Sequence, residues 1–366
     1  MRMYDPFKRM RSRMRRNMQR ATSKAMSDAW DAVVPAAKPK KRKAAEPARP
    51  VDRGPRPAAS PQRRSGSRSV SKPHPQPRGA VFAAATYTCD FGTRPFRLYT
   101  PASAKRVTGP LPLIVMLHGC GQSPEGFAKG TDMNHLAEEF GFLVLYPGQT
   151  RDAHAGRCWN WFRASDQRRG AGEPALIASL THSIMSERQV DPAKVYIAGL
   201  SAGASLALIT AVAYPDIFAA VGAHSGLSVG AAHDAPSATN AMQHGAAGRR
   251  HVCRMPTILF HGGADRVVNP RNGRLAALRA TEPFGGLQAT EKTLNSPHGR
   301  DCIRTIHRIG KGRPYVEHWL IKGSGHGWSG GAGSASYTDP TGPDASREMV
   351  RFFLRHRTTK QKRRSK

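Results

Sequence analysis

The sequence of 366 residues predicts an α/β fold in which a mostly parallel sheet carries helices on both faces. Three observations predict it. Short apolar runs such as Leu113–Leu117 (LIVML) and Phe142–Tyr146 (FLVLY) show no polar alternation, as expected of strands buried on both faces. These runs alternate along the chain with segments of helical length and pattern. The motifs with chemical character all fall just after predicted strands, where open parallel sheets place their sites.

The folded body starts near Val81. Phe96–Tyr99 reads as a short strand, and Leu113–Leu117 is a buried strand that runs into His118-Gly119-Cys120-Gly121. Met133–Phe140 reads as a helix and Phe142–Tyr146 as the next strand. Pro174 to about Arg188 is an amphipathic helix. Val195–Ala198 is a strand, followed by a helix over Ala202–Tyr214 that Pro215 closes. Phe218–Ala223, Thr257–Phe260 and Val316–Ile321 are further strands, and Ser346–His356 is the last helix.

The sequence divides into four parts: 1–36, 37–80, 81–356 and 357–366. In the first, Met3, Phe7, Met10, Met14 and Met18 recur at helical spacing among Arg and Lys, a basic amphipathic segment. The second is rich in Pro, Arg, Lys and Ser, with almost no large apolar side chain, and reads as a disordered linker. The third is the catalytic body and the fourth a basic tail. Lys and Arg number 57 against 25 Asp and Glu, a formal charge of +32. Roughly half of that charge sits before the body, and about seven basic residues crowd the last dozen positions, so it describes tails rather than a catalytic surface. Such tails suit an anionic granule, a membrane or a nucleic acid. No run of about 18 apolar residues reads as a membrane span, and no export signal is legible. A cytoplasmic or granule-associated location is therefore expected, with an extracellular one as the alternative. The cysteines, Cys89, Cys120, Cys158, Cys253 and Cys302, have no metal-ligand spacing.

The sharpest motif is Gly199-Leu200-Ser201-Ala202-Gly203, between a predicted strand and a predicted helix. That context is the nucleophile elbow of an α/β-hydrolase fold. A tight turn would project the Ser201 hydroxyl above the sheet, and the two glycines allow strand and helix to approach closely. The Ala202 N–H, at the start of the helix, would face an oxyanion. A serine hydroxyl needs a base, and in this fold the acid and then the histidine follow the serine in the chain. Asp265 lies in the loop after Thr257–Phe260, where a triad acid belongs. His326 lies in a glycine-rich loop after Val316–Ile321 and is the expected general base. The second oxyanion donor comes from the loop after Leu113–Leu117, with the Cys120 N–H as first choice and that of Gly121 as second. His118 is expected to support this loop by hydrogen bonding rather than to move a proton.

With these motifs in view, the sequence resembles the polyhydroxybutyrate depolymerase family of esterases, whose catalytic domains are similar to feruloyl and acetylxylan esterases. The matching stretches are LPLIVMLHGCGQ (Leu111–Gln122), FLVLYPGQ (Phe142–Gln149), CWNWF (Cys158–Phe162), the helix start at Gly172-Glu173, DPAKVYIAGLSAGA (Asp191–Ala204), YPDIFAAVGAHSG (Tyr214–Gly226), HGGADRVVNP (His261–Pro270) and GSGHGWSGG (Gly323–Gly331). The resemblance spans about residues 85–355. It implies hydrolysis of short-chain polyhydroxyalkanoate esters through an acyl-enzyme, without metal or other cofactor, and puts the triad on Ser201, Asp265 and His326. The secreted, polymer-degrading members carry a C-terminal substrate-binding domain where this chain has a short basic tail, so action on crystalline extracellular polymer is not expected, and an intracellular amorphous granule, soluble oligomers and another ester stay open as substrates. Trp159, Trp161 and Trp328 are candidates for an apolar wall of the acyl pocket. A disulfide between Cys120 and Cys158 would stiffen the oxyanion loop, and Cys253–Cys302 is a weaker second pair. The competing readings are a feruloyl or acetylxylan carboxylesterase and a protein that chiefly tethers to a granule, membrane or DNA.

Overall fold

The computed structural model describes residues 74–295 and 299–359. The expected amphipathic segment 1–36, the linker as far as residue 73 and the tail from residue 360 lie outside the described residues. The near ends of both flanks rest on the body. His74 hydrogen-bonds the Asp132 carboxylate and stacks on His135 at 3.7 Å. Thr358 N–H donates to Ala193 O, 3.0 Å.

Ten strands form one sheet: β1 (Val81–Cys89), β2 (Gly92–Thr100), β3 (Leu111–Leu117), β4 (Leu143–Pro147), β5 (Val190–Leu200), β6 (Ala220–His224), β7 (Thr257–Gly262), β8 (Gln288–Asn295), β9 (Asp301–Arg308) and β10 (Pro314–Ile321). Their order is β1-β2-β4-β3-β5-β6-β7-β10-β9-β8. The run from β4 to β10 is parallel, and antiparallel hairpins extend it at both edges. All residues of β3, β4, β6 and β7 are buried, as their continuous apolar sequence requires.

Seven α-helices are described: α1 (Pro124–Thr131), α2 (Met133–Phe140), α3 (Gly172–Glu187), α4 (Ala202–Ala213), α5 (Ala235–His244), α6 (Arg271–Thr281) and α7 (Ala345–Phe353). Alternate residues of β3 show the two-layer packing. Leu113, Val115 and Leu117 join the core with α3 and α4, while Ile114 and Met116 join the opposite core with α1, α2 and α7. In α4, Ala202 through Ala211 are all buried, which its uniformly small and apolar sequence permits.

The sequence reading placed the parallel strands and missed β1, β8 and β9. Nearly all of β8 and most of β1 are exposed, so neither carries a buried run or a clean alternation. It also missed α1, α5 and α6. For α1 and α5 the signal was present: Ser123 and Asp234 cap them by accepting from Gly126 N and Ser237 N, each with a proline in the first turn.

Candidate active site

Every residue of the expected constellation sits at the carboxyl end of the parallel sheet. Ser201 links β5 to α4 with φ 57° and ψ −119°, a region that L-residues rarely adopt. Holding a non-glycine residue there costs about 1–3 kcal/mol, which the surroundings must over-determine. They do so by crowding. A Cβ on Gly199 would lie 2.4 Å from the Gly203 carbonyl, and one on Gly203 would lie 2.2 Å from Leu117 O. Strand and helix therefore pack backbone to backbone. Ser201 N–H also donates to His224 O on the neighbouring strand, 2.8 Å.

Asp265 follows β7. Its Oδ1 accepts from the N–H groups of Val267 and Val268, 2.9 Å each, which orients the carboxylate. Its Oδ2 accepts from His326 Nδ1 at 2.8 Å, and both side chains are buried. This bond makes Nδ1 the protonated nitrogen and leaves the lone pair on Nε2, the tautomer a general base needs. The histidine loop is fixed from both sides: Ala264 N–H donates to Ser324 O (2.8 Å), and Ser324 Oγ donates to Asp339 Oδ2 (2.6 Å).

Burial alone would raise the Asp265 carboxyl. The His326 hydrogen bond, the adjacent His326 and His261 charges and the Val268 N–H outweigh it and bring the group down to about 2. A depressed folded value stabilises the fold above the unfolded value of about 3.9 and loses that stabilisation as pH falls through about 2. Comparing thermal unfolding of the wild type and Asp265→Asn should therefore show a gap that is widest near neutrality and narrows toward pH 2. A gap independent of pH would mean that Asp265 acts as a neutral group.

The loop after β3 carries the other half of the site. Gly121 N–H, the second choice from the sequence, donates to Gly156 O at 3.0 Å and is committed there, which leaves Cys120 N–H as the candidate to pair with Ala202 N–H. Ala202 is the first residue of α4, where backbone N–H groups lack helical acceptors. His118 is fully buried and held at both ring nitrogens. Nδ1–H donates to Gly119 O (2.7 Å) and Nε2 accepts from Gln149 N–H (3.0 Å), and burial lowers its pKa to about 4. It is a neutral strut for the loop. His224 is held similarly: burial, then the nearby His261 and His326, lowers it to about 3, and its Nε2 accepts from Ser329 N–H.

Cys120 and Cys158 form a disulfide. Cys253 and Cys302 are not bridged to each other, contrary to the weaker expectation. Cys302 belongs to the core on one face of the sheet and Cys253 packs on the core of the other. Closing a loop between residues 38 apart is expected to contribute about 2–4 kcal/mol. A reductant, or Cys158→Ala, should lower the melting temperature accordingly. Titration of the denatured, unreduced protein should find three thiols, and a count of five would remove the bridge.

The three tryptophans, candidates from the sequence for an apolar wall of the acyl pocket, are all buried. Trp159 and Trp328 are 0% and 1% exposed, and Trp161 is 4%. Trp159 Nε1–H donates to His118 O, 3.0 Å, tying CWNWF to the oxyanion loop. Trp328 donates to Ser346 Oγ and lies between Phe127 and His224. Trp161 packs edge-on against Phe162. All three pack into the hydrophobic cores on the two faces of the sheet.

The sequence reading also passed over a buried polar hub behind the oxyanion loop. Glu173, in the first turn of α3, accepts from Arg94 Nη2 (3.1 Å), Gln149 Nε2 (2.5 Å), Asn160 N (2.6 Å) and Asn160 Nδ2 (3.0 Å). Gln149 Nε2 also donates to Cys158 O, 2.9 Å. One carboxylate thus fixes both the support of His118 and the disulfide loop.

The chain matches the family described as esterase PHB depolymerase over residues 95–281. It is 30% identical over 266 residues to poly(3-hydroxyalkanoate) depolymerase C of Paucimonas lemoignei; the match covers 67% of this chain and 62% of that protein's length. It is 29% identical to feruloyl esterase B of Neurospora crassa, over 59% of this chain and 82% of that one. A solved acetyl xylan esterase from Aspergillus awamori shares the fold with a TM-score of 0.56 at 21% identity, over 75% of this chain and 99% of that one.

Proposed function

The chain belongs to the esterase PHB depolymerase family, and from that premise we propose that it hydrolyses short-chain polyhydroxyalkanoate esters, of the poly-3-hydroxybutyrate type, through an acyl-enzyme on Ser201. The observation that carries the reading is the strained Ser201 elbow at one strand end with the Asp265–His326 pair at the strand ends beyond it.

In this reaction Ser201 Oγ attacks the ester carbonyl as His326 Nε2 takes its proton. The carbonyl oxygen becomes an oxyanion and receives the N–H groups of Cys120 and Ala202, each worth about 10²–10³ in rate at such a site. His326 then protonates the departing alcohol, and water, deprotonated by the same imidazole, releases the acid. Asp265 holds the ring and stabilises the imidazolium without taking the proton. No step calls on a metal or other cofactor.

The test is turnover by the full chain of 3-hydroxybutyrate oligomers and amorphous poly-3-hydroxybutyrate, beside methyl ferulate and acetylated xylan. The oligoester should have the highest kcat/KM. Faster release of acetate or ferulate would move the protein to the carboxylesterase reading that the feruloyl esterase relative supports. The basic ends would hold the enzyme on an anionic granule, membrane or nucleic acid. The disulfide favours an oxidising compartment, the alternative location.

A further inference from the structure

Resting on that reading, we propose that a groove beside the oxyanion loop binds the free carboxylate end of an oligoester, with Arg157 as its counter-ion. The groove has a volume of 460 Å³, within the ordinary range for small-molecule sites. Its lining mixes small apolar residues, Ala84, Ala85, Pro95 and Pro124, with polar and charged ones, a surface on which short branched hydroxyalkanoate units can lie beside a charged end.

The charges in the groove are not equivalent. Arg97 and Glu125 neutralise each other at 2.5 Å. Arg157 is half-buried, and among the described residues no carboxylate pairs with it. Its Nη2–H donates to Gly121 O at 2.8 Å, which anchors the guanidinium, and its remaining N–H groups match a carboxylate in a fork. The backbone of Arg157 stands at φ 50°, beside the bridged Cys158, a strained placement for a residue with a β-carbon. Anchor and strain together fix a cation at the rim of the catalytic loop.

The position relative to the nucleophile follows from the sheet. The groove takes in Gly148 and Gln149 at the end of β4, which is separated from β5 by β3 alone. Two strand spacings are about 10 Å. A chain whose scissile ester sits at Ser201 could therefore place its acid terminus at Arg157 after a few units. A cation there selects ends of chains over their interiors, and so soluble oligomers over the body of a polymer.

The experiment uses the 3-hydroxybutyrate trimer as the free acid and as its methyl ester, with the full chain. Turnover of each is measured, and binding is read separately as inhibition of p-nitrophenyl acetate hydrolysis. The acid should inhibit at about tenfold lower concentration than the methyl ester, the size of one charge-assisted contact. High salt should reduce that preference. Arg157→Gln should bring the ratio close to unity, and Arg157→Lys should restore part of it. Equal inhibition by the two trimers in the wild type would overturn the subsite. So would an Arg157→Gln protein in which both trimers weaken alike, because Arg157 would then serve only to hold Gly121. Trimers that inhibit with the acid preferred but are not cleaved would instead remove the polyester reading and leave the anion subsite in place.

Discussion

Ser201→Ala and His326→Ala are each expected to lower kcat on a soluble ester by about 10⁶-fold, and Asp265→Ala by about 10⁴-fold, with the fold intact. In the proposed mechanism the serine and histidine act in one proton-coupled step, so the double variant should be scarcely worse than either single one. Asp265 contributes differently. Its loss removes the acceptor that fixes the His326 tautomer, and Val267 and Val268 N–H lose the same carboxylate. Asp265→Asn keeps much of the shape but can turn an N–H toward His326, favouring the wrong tautomer. Steady-state kinetics with circular dichroism as the fold check decides the matter. A folded His326→Ala protein with most of its activity would show that another group is the base. His118 and His224 are poor substitutes, fully buried with both ring nitrogens hydrogen-bonded, and His261 is fully buried with its Nε2 on Val268 O.

The parts of this molecule that were legible in the sequence share a physical trait. The strands β3, β4 and β7 are buried on both faces, so their apolar runs cannot be mistaken for amphipathic surface. The elbow is legible because backbone contacts near 2.4 Å admit only glycine at positions 199 and 203. Chain order then points to Asp265 and His326. What escaped notice depends on tertiary context. A tryptophan serves a pocket wall and a core equally well, and pattern alone does not tell which. Cys253 and Cys302 are separated by the sheet itself, which no spacing reveals. Arg157 looks like any surface arginine until its partner turns out to be a carbonyl of the oxyanion loop. An acidic residue at a helix start such as Glu173 reads as a favourable charge at the helix dipole. The missed signal lay in its partners: Gln149 and Asn160 are polar residues embedded in the otherwise apolar stretches FLVLYPGQ and CWNWF.

Glu173→Ala should be the most damaging change outside the triad, in two separable ways. The first is stability. Glu173 and Arg94 are both buried, with side chains 8% exposed and 3.1 Å apart. Removing one member of such a pair strands the other and costs about 3–5 kcal/mol. The second is catalysis. Without the carboxylate, Asn160 N–H loses its acceptor and Gln149 Nε2 keeps only Cys158 O, so the residue whose backbone N–H supports His118 is less firmly held. A shift of about 1 Å in the Cys120 N–H would cost about 10² in kcat, with KM for a small ester little changed. The paired change Arg94→Leu with Glu173→Leu separates the two effects. It removes the stranded charge, so urea unfolding should regain much of the lost stability. It cannot restore the hydrogen bonds to Gln149 and Asn160, so kcat should stay low. If kcat recovered along with stability, Glu173 would act on the fold as a whole, and the oxyanion loop would be held by the disulfide and Trp159 without it.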